Sequence, residues 1–342
     1  MGMFFIAEAG VNHNGSLKTA LDLIDAAAEA GADAVKFQTF KAGKTVASGT
    51  KTVDYQRDNT DTNDQLSLLK RLELSAADHE VIAQHCSKMN IEFMSTAFDE
   101  DSAVFLNNVG ISRLKIPSGE VSNLSFIRFL AGFNLPIILS TGMATLEEVG
   151  AAVEAIRSQR LQNGFTAPLN SFLSILHCTS AYPTPDDQLN LRAIQTLRKA
   201  FNVPVGYSDH SAGQDASLLT VALGAAVYEK HFTLDRNMTG PDHKASLEPC
   251  ELKEMIARIR VAETMLGTGE KKPQPCELQA RDLVRRSICA ARDLKAGETI
   301  SKDDLIMLRP ALGLAPEHHD SLLGKVLSRD IPQGGRFESN DL

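Results

Sequence analysis

Residues 4–40, FFIAEAGVNHNGSLKTALDLIDAAAEAGADAVKFQTF, spell out a strand, a helix and a second strand. Phe4–Ala7 and Ala34–Phe40 are short apolar runs bounded by turn residues, as buried parallel strands are. Between them Ser16–Ala30 has a helical period, with Leu17, Leu21, Ile24 and Ala28 at three- and four-residue spacing. Ser16 suits an N-cap, and Gly31 suits the left-handed residue that closes a helix.

The same unit recurs along the chain. Further runs at Ile91–Ala97, Arg113–Pro117, Pro136–Ser140, Phe172–Cys178, Val203–Tyr207 and Ala226–Phe232 bring the strands to eight, and Leu189–Ala200 and Glu251–Leu266 repeat the helical pattern. Eight strand–helix units in roughly 270 residues match the (β/α)8 TIM barrel, whose usual size is about 250 residues. An open doubly wound sheet is the competitor. It is disfavoured because polar groups end nearly every run: Glu8, Lys36 and Gln38, Ser95 and Thr96, Lys115 and Ser118, Ser140, Thr179 and Ser180, His210, His231. A barrel gathers all eight strand ends at one mouth, whereas an open sheet uses only those at its switch point.

After Leu266 the sequence turns to GTGEKKPQPCE, which reads as a linker. The expected organisation is a barrel over 1–270, a linker over 271–283 and a small, mostly β domain over 284–342. The last is near the lower size for independent folding.

Composition narrows the function. The 342 residues hold 35 Lys and Arg against 43 Asp and Glu, a net charge of −8, which disfavours nucleic acid or an anionic membrane as partner. No run approaches the roughly 20 apolar residues that span a bilayer, and the N-terminus lacks the basic start of a secretory signal. Five widely spaced cysteines without a CxxC pair suggest neither a disulfide framework nor a zinc site, so a cytoplasmic setting is expected.

Three groups of residues carry chemistry. His210, in Gly206-Tyr-Ser-Asp-His210, and His231, in Glu229-Lys-His231, end adjacent strands and make a plausible ligand pair for a borderline divalent metal. Alternation puts Glu229 on the face of His231 and Lys230 on the other. Lys36 and Lys115, with the hydroxyls of Thr96 and Ser118, suit a phosphorylated or carboxylated ligand, while structural pairing with Glu8, Glu120 or Glu229 is the alternative. Glu8, Asn12 and His13 follow the first strand as an acid/base candidate and recognition groups, and Asp242, His243 and Lys244 follow the last. No GxxxxGK[ST] or GxGxxG pattern is present, so ATP and NAD are not implied.

The motifs IAEAGVNHNGS, DAVKFQTF, FMSTAFDEDS, KIPSGE, ILSTGMA, LHCTSAYPTP, GYSDHS, EKHFTLD, GPDHKASLEP and RRSI, in that order, resemble the bacterial sialic acid synthase family over nearly the whole chain. The resemblance implies condensation of phosphoenolpyruvate with N-acetylmannosamine, releasing phosphate. Legionaminic acid synthase, using 2,4-diacetamido-2,4,6-trideoxymannose, is the alternative, and pseudaminic acid synthase a more distant one because Gly-Val precedes Asn12. A non-catalytic sugar- or ice-binding protein is the rival from another class.

By the same resemblance His210 and His231 hold a divalent metal, Mn²⁺ before Mg²⁺ or Co²⁺. Lys36, Thr96, Lys115, Ser118 and Ser180 surround phosphoenolpyruvate. Gln38, Glu120, Tyr182 and Asp242 line the sugar, and Glu8 is the acid/base candidate beside Glu120. The C-terminal segment resembles the SAF, or antifreeze-like, domain. This implies a domain-swapped homodimer in which Arg309 reaches the partner's sugar. Arg309-Pro-Ala-Leu-Gly313 stands where the family often has Arg-Pro-Gly-x-Gly, so Ala311 occupies a place where a positive φ would disfavour it.

Overall fold

The computed structural model describes residues 2–52, 57, 59, 60 and 62–341. Eight parallel strands close into a barrel in sequence order, β1 next to β8. They are β1 (Phe4–Gly10), β2 (Ala34–Thr39), β3 (Glu92–Ala97), β4 (Leu114–Ile116), β5 (Ile137–Ser140), β6 (Leu173–Cys178), β7 (Val205–Asp209) and β8 (Val227–His231). All eight fall within a residue or a few of the runs read from sequence.

Strand alternation builds the interior in tiers. Ile6, Ala34, Met94, Ile138, Leu176 and Val227 pack together as an apolar plug. Two residues further along the same strand faces stand Glu8, Lys36, Thr96, Ser140, Cys178 and Glu229. The floor is therefore dry and the C-terminal mouth polar, the division that places barrel active sites.

The helix Leu17–Ala30 is capped as its sequence predicts: Ser16 Oγ accepts from the Thr19 amide at 3.3 Å and Gly31 takes φ 84°. Its buried stripe differs in phase. Ala20, Leu23, Ile24, Ala27 and Ala30 are buried, while Leu17, Leu21 and Ala28 pack at the edges. The buried stripe combines the small Ala20, Ala27 and Ala30 with the larger Leu23 and Ile24. The helix expected from Leu189 starts at Ala193, because a 3₁₀ turn at Asp186–Gln188 and Asn190 at φ 45° intervene. The last barrel helix runs Pro249–Leu266, with Pro at its first turn.

The chain divides into two compact units, Met1–Gly267 and Thr268–Leu342. The second has antiparallel β9 (Ser287–Ala290) and β10 (Leu305–Leu308) over a core of Ile288, Ala290, Leu294, Ile300, Leu322, Leu327, Ile331 and Phe337. The stretch read as linker contains a 3₁₀ turn, Pro275–Glu277, and the helix Leu278–Val284, whose residues are exposed. Pro at the first position of the turn and a Gln274–Glu277 capping box start this structure despite the Lys- and Pro-rich composition. Ala311 is not among the residues with positive φ, so the Arg309 loop accepts alanine without backbone strain.

Candidate active site

The mouth of the barrel encloses a cavity of about 270 Å³. Glu8, Lys36, Gln38, Thr96, Lys115, Ser118, Ser180, Tyr182, His210 and His231 all line it. A larger open groove of about 1060 Å³ lies at the other end of the strands, beside Met3, Phe4, Arg113 and Ala226. Its cations are already matched, Arg113 to Glu92 and Arg260 to Asp33. Ligand chemistry therefore belongs to the mouth.

Glu229 is the hub of the mouth. Its Oε1 accepts from Lys115 Nζ at 3.0 Å and from Ser208 Oγ at 2.9 Å, and its Oε2 lies 3.7 Å from Lys36 Nζ. Lys36 Nζ is also 2.7 Å from Glu8 Oε2 and donates to Thr96 Oγ1 at 3.1 Å. The two carboxylates face opposite fates. Burial pushes Glu8 up to about 7, with Lys36 opposing, whereas Lys115 and Lys36 overcome burial at Glu229 and hold it far below the usual carboxylate range. Burial lowers Lys115, whereas Glu229 and Glu8 outweigh burial at Lys36 and raise it, so near neutral pH the cluster pairs these lysines with one firm carboxylate and one carboxyl poised to exchange a proton.

Both imidazoles are neutral, since burial lowers each, His231 further through neighbouring His210. His210 Nδ1 lies 2.7 Å from the Thr179 carbonyl, which only accepts, so the proton sits on Nδ1 and Nε2 keeps its lone pair. The rings are 5.6 Å apart, and the Tyr182 ring is 4.2 Å from His210. His231 Nδ1 and Ser140 Oγ are buried without a hydrogen-bond partner, and Glu8 Oε2 and Glu229 Oε2 have Lys36 Nζ as their neighbour, at 2.7 and 3.7 Å. Neutral imidazoles beside these buried oxygens fit a divalent cation and a polar ligand. Among the described residues no third His, Cys, Asp or Glu completes an all-protein metal cage, so a metal here would keep open positions.

Beside the hydroxyls, Gly142 is held by proximity. Its amide donates to Ser118 Oγ at 2.9 Å, and a Cβ there would stand 2.4 Å from Ser180 Oγ and 2.8 Å from Cys178 Sγ. Only glycine lets Ser118 and Ser180 converge.

Several expected residues lie elsewhere. Glu120, in the 3₁₀ turn Ser118–Glu120, accepts from Asn123 Nδ2 at 2.7 Å and is not in the cavity wall. Asn12 ties the loop after β1 to the Phe232 carbonyl and Ser246, and His13 Nδ1 accepts from the Gly15 amide; Asn12 Oδ1 and His13 Nε2 are buried without a partner, and neither residue lines the cavity. Arg309 belongs to the second unit. Glu229 and Ser208 do more than spacing suggests. The alternation that runs Gly206, Ser208 and Val227, Glu229, His231 was the available signal.

Asp242 is buried just after β8, outside the cavity wall, and burial raises its carboxyl from 3.8 to about 6. The folded state therefore holds this proton more tightly than the unfolded chain. Its stabilising effect is complete below about pH 4 and is lost as pH rises through about 6, a cost of about 3 kcal/mol at neutral pH. Asp242→Asn should be more stable than the parent at pH 7.5 by up to that amount and no more stable at pH 4. Urea unfolding at both pH values checks this, and a pH-independent difference would refute it.

Comparison with known proteins agrees with this geometry. The NeuB family model matches residues 23–271 and the SAF domain model residues 285–335. The chain is 48% identical to N,N'-diacetyllegionaminic acid synthase of Legionella pneumophila, over 98% of this chain and 93% of that one. It is 45% identical to the Campylobacter jejuni enzyme of that name, over 96% of each. Among solved structures, the N-acetylneuraminic acid synthetase of Leptospira borgpetersenii superposes with a TM-score of 0.72 at 34% identity, covering 82% of this chain and 90% of that one. Fold, mouth and full-length similarity converge: the chain belongs to the NeuB family and ends in a SAF domain.

Proposed function

We propose that this protein is a nonulosonic acid synthase that condenses phosphoenolpyruvate with 2,4-diacetamido-2,4,6-trideoxymannose to give N,N'-diacetyllegionaminic acid and phosphate. The carrying observation is the mouth itself, where two lysines, two carboxylates and two neutral imidazoles meet in one cavity. The N-acetylmannosamine expectation gives way to the legionaminic alternative because the relatives at 48% and 45% bear that name, against 34% for the sialic acid synthetase. A sugar- or ice-binding module has no use for so many buried charges, each costly to desolvate.

In this reading Lys36 and Lys115 bind the carboxylate and phosphate of phosphoenolpyruvate, with Thr96, Ser118 and Ser180 as hydroxyl partners. They hold its C3 against C1 of the open-chain sugar, so that a C–C bond forms there. Water adds at C2, the C2–O bond to phosphate breaks, and Glu8 moves the proton. Gln38 and Tyr182 face the sugar. His210 and His231 would hold a divalent ion, Mn²⁺ by preference, which supplies Lewis-acid polarisation of the sugar carbonyl. Phosphate release from phosphoenolpyruvate with Mn²⁺ and each candidate sugar in turn tests the reading. The diacetamido sugar should give the highest kcat/KM, and a higher value for N-acetylmannosamine would reverse the assignment.

The setting is cytoplasmic in the same reading. All five cysteines are free thiols, and among the described residues no helix is long and apolar enough to cross a membrane.

Arg309 is assigned to the sugar's acyl group in the partner's mouth of a homodimer. Mixing inactive His210→Ala and Arg309→Ala chains should restore activity. With random exchange half of the dimers are mixed and each has one intact mouth, so about a quarter of the parent activity returns. Verified exchange without recovery would place the arginine in its own chain's mouth or outside the reaction.

A further inference from the structure

Behind the cavity wall, on the outer face of β7 and β8, Lys230 and Asp209 form an ion pair of 2.8 Å with both side chains fully buried. Lys230 Nζ also donates to the Ser211 carbonyl at 2.5 Å and the Gly213 carbonyl at 3.3 Å. All three ammonium protons therefore have an acceptor. Asp209 is equally engaged: Oδ2 accepts from the Tyr228 hydroxyl at 2.5 Å, and Oδ1 from the Ser211 amide at 2.8 Å.

The placement of these bonds matters more than their number. β7 ends at Asp209, so His210 lies beyond the last strand residue and relies on other contacts for its position. On the β6 side it is held by the Thr184 amide on its carbonyl, at 2.8 Å, and by the Thr179 carbonyl on its ring. On the β8 side the hold comes from Lys230, which grips residues 209, 211 and 213 around His210 and immediately precedes His231. A buried ion pair is a poor device for stability alone, because apolar side chains of similar volume usually serve as well. Directional bonds to named carbonyls give fixed position instead.

We infer that Lys230 is the positioning residue of the histidine pair, setting the 5.6 Å separation of the two rings through Asp209 and the carbonyls beyond it. The inference rests on the reading of His210 and His231 as metal-holding groups. It assigns a role to a cation that faces away from the cavity and touches neither substrate nor metal.

The test is titration of the metal-free protein with Mn²⁺ alone, followed by the electron paramagnetic resonance signal of the free ion, with thermal melting alongside. Lys230→Met by itself strands a buried carboxylate and endangers the fold. Asp209→Asn/Lys230→Met removes both charges together, and Asp209→Asn alone, which keeps acceptors around the ammonium, is the second variant. Tyr228→Phe deletes a bond to Asp209 Oδ2 but leaves each of the three Lys230 contacts in place, and serves as control. The double variant should bind Mn²⁺ about 10- to 100-fold more weakly, the usual consequence of losing an outer partner of metal-holding side chains. Asp209→Asn should fall between it and the parent, and Tyr228→Phe should match the parent. Parent-like affinity in whichever of the first two variants melts cooperatively overturns the inference, as does equal weakening in Tyr228→Phe. A parent protein that binds no Mn²⁺ overturns the metal reading itself, and this inference with it.

Discussion

His231→Ala is expected to lower turnover in Mn²⁺ by about a thousandfold, corresponding to about 4 kcal/mol of lost Lewis-acid stabilisation. The size of the effect follows from the sparseness of the site. Two imidazoles stand 5.6 Å apart, and no third protein ligand among the described residues can take over when one is removed. The fold should survive, because His231 Nδ1 makes no hydrogen bond that truncation would leave unmet. Phosphate-release kinetics and thermal melting together measure the two statements. Full activity of the parent protein after exhaustive chelation would remove the metal from the proposal.

Lys115→Ala is expected to cost about 2–5 kcal/mol, the range for truncating one side of a buried charge pair, or about thirtyfold to about five thousandfold in kcat/KM for phosphoenolpyruvate. The KM for the sugar should move little. The structure sharpens this test, since Lys115 already has a partner in Glu229 at 3.0 Å. Were that ion pair its whole purpose, the variant would lose melting temperature and keep its response to phosphoenolpyruvate. In the anion-holding role the order is reversed. Glu229 retains Ser208 at 2.9 Å and Lys36 at 3.7 Å, so the carboxylate is not abandoned when Lys115 goes.

Much of the fold was legible from local pattern. The apolar runs and the 3.6-residue period of Leu17–Ala30 depend on backbone geometry that every strand and helix shares, and so did the caps at Ser16 and Gly31. The phase of the helix stripe was not, because Leu21 and Leu23 are equally apolar and only packing against the barrel decides which is buried. In the site, residues at strand ends were found readily since position in the barrel is enough to aim them. Those on connecting segments divided: Ser118, Ser180 and Tyr182 line the cavity, while others do not. Asn12 and His13 have the side chains of recognition groups, yet the turn that follows β1 ties each of them to the scaffold and neither lines the cavity. Glu120 sits two residues past Ser118, and the 3₁₀ turn is sufficient to carry it out of the wall.

By itself, then, the sequence determined the number and order of the strand–helix units, the side of the barrel that carries chemistry and the residue types that meet there, because all of these follow from periods of two and 3.6 residues. Only the tertiary structure decided the pairing of charges. Glu229 and Lys115 are 114 residues apart in the chain, and closure of the barrel brings them to 3.0 Å. The same closure removes water from Glu8 and lifts its carboxyl to about 7, while two ammonium groups keep Glu229 ionised. Two glutamates of one chemical type thereby become a carboxyl that titrates near neutrality and a fixed anion, a distinction set by desolvation and distance, neither of which is a property of the chain until it folds.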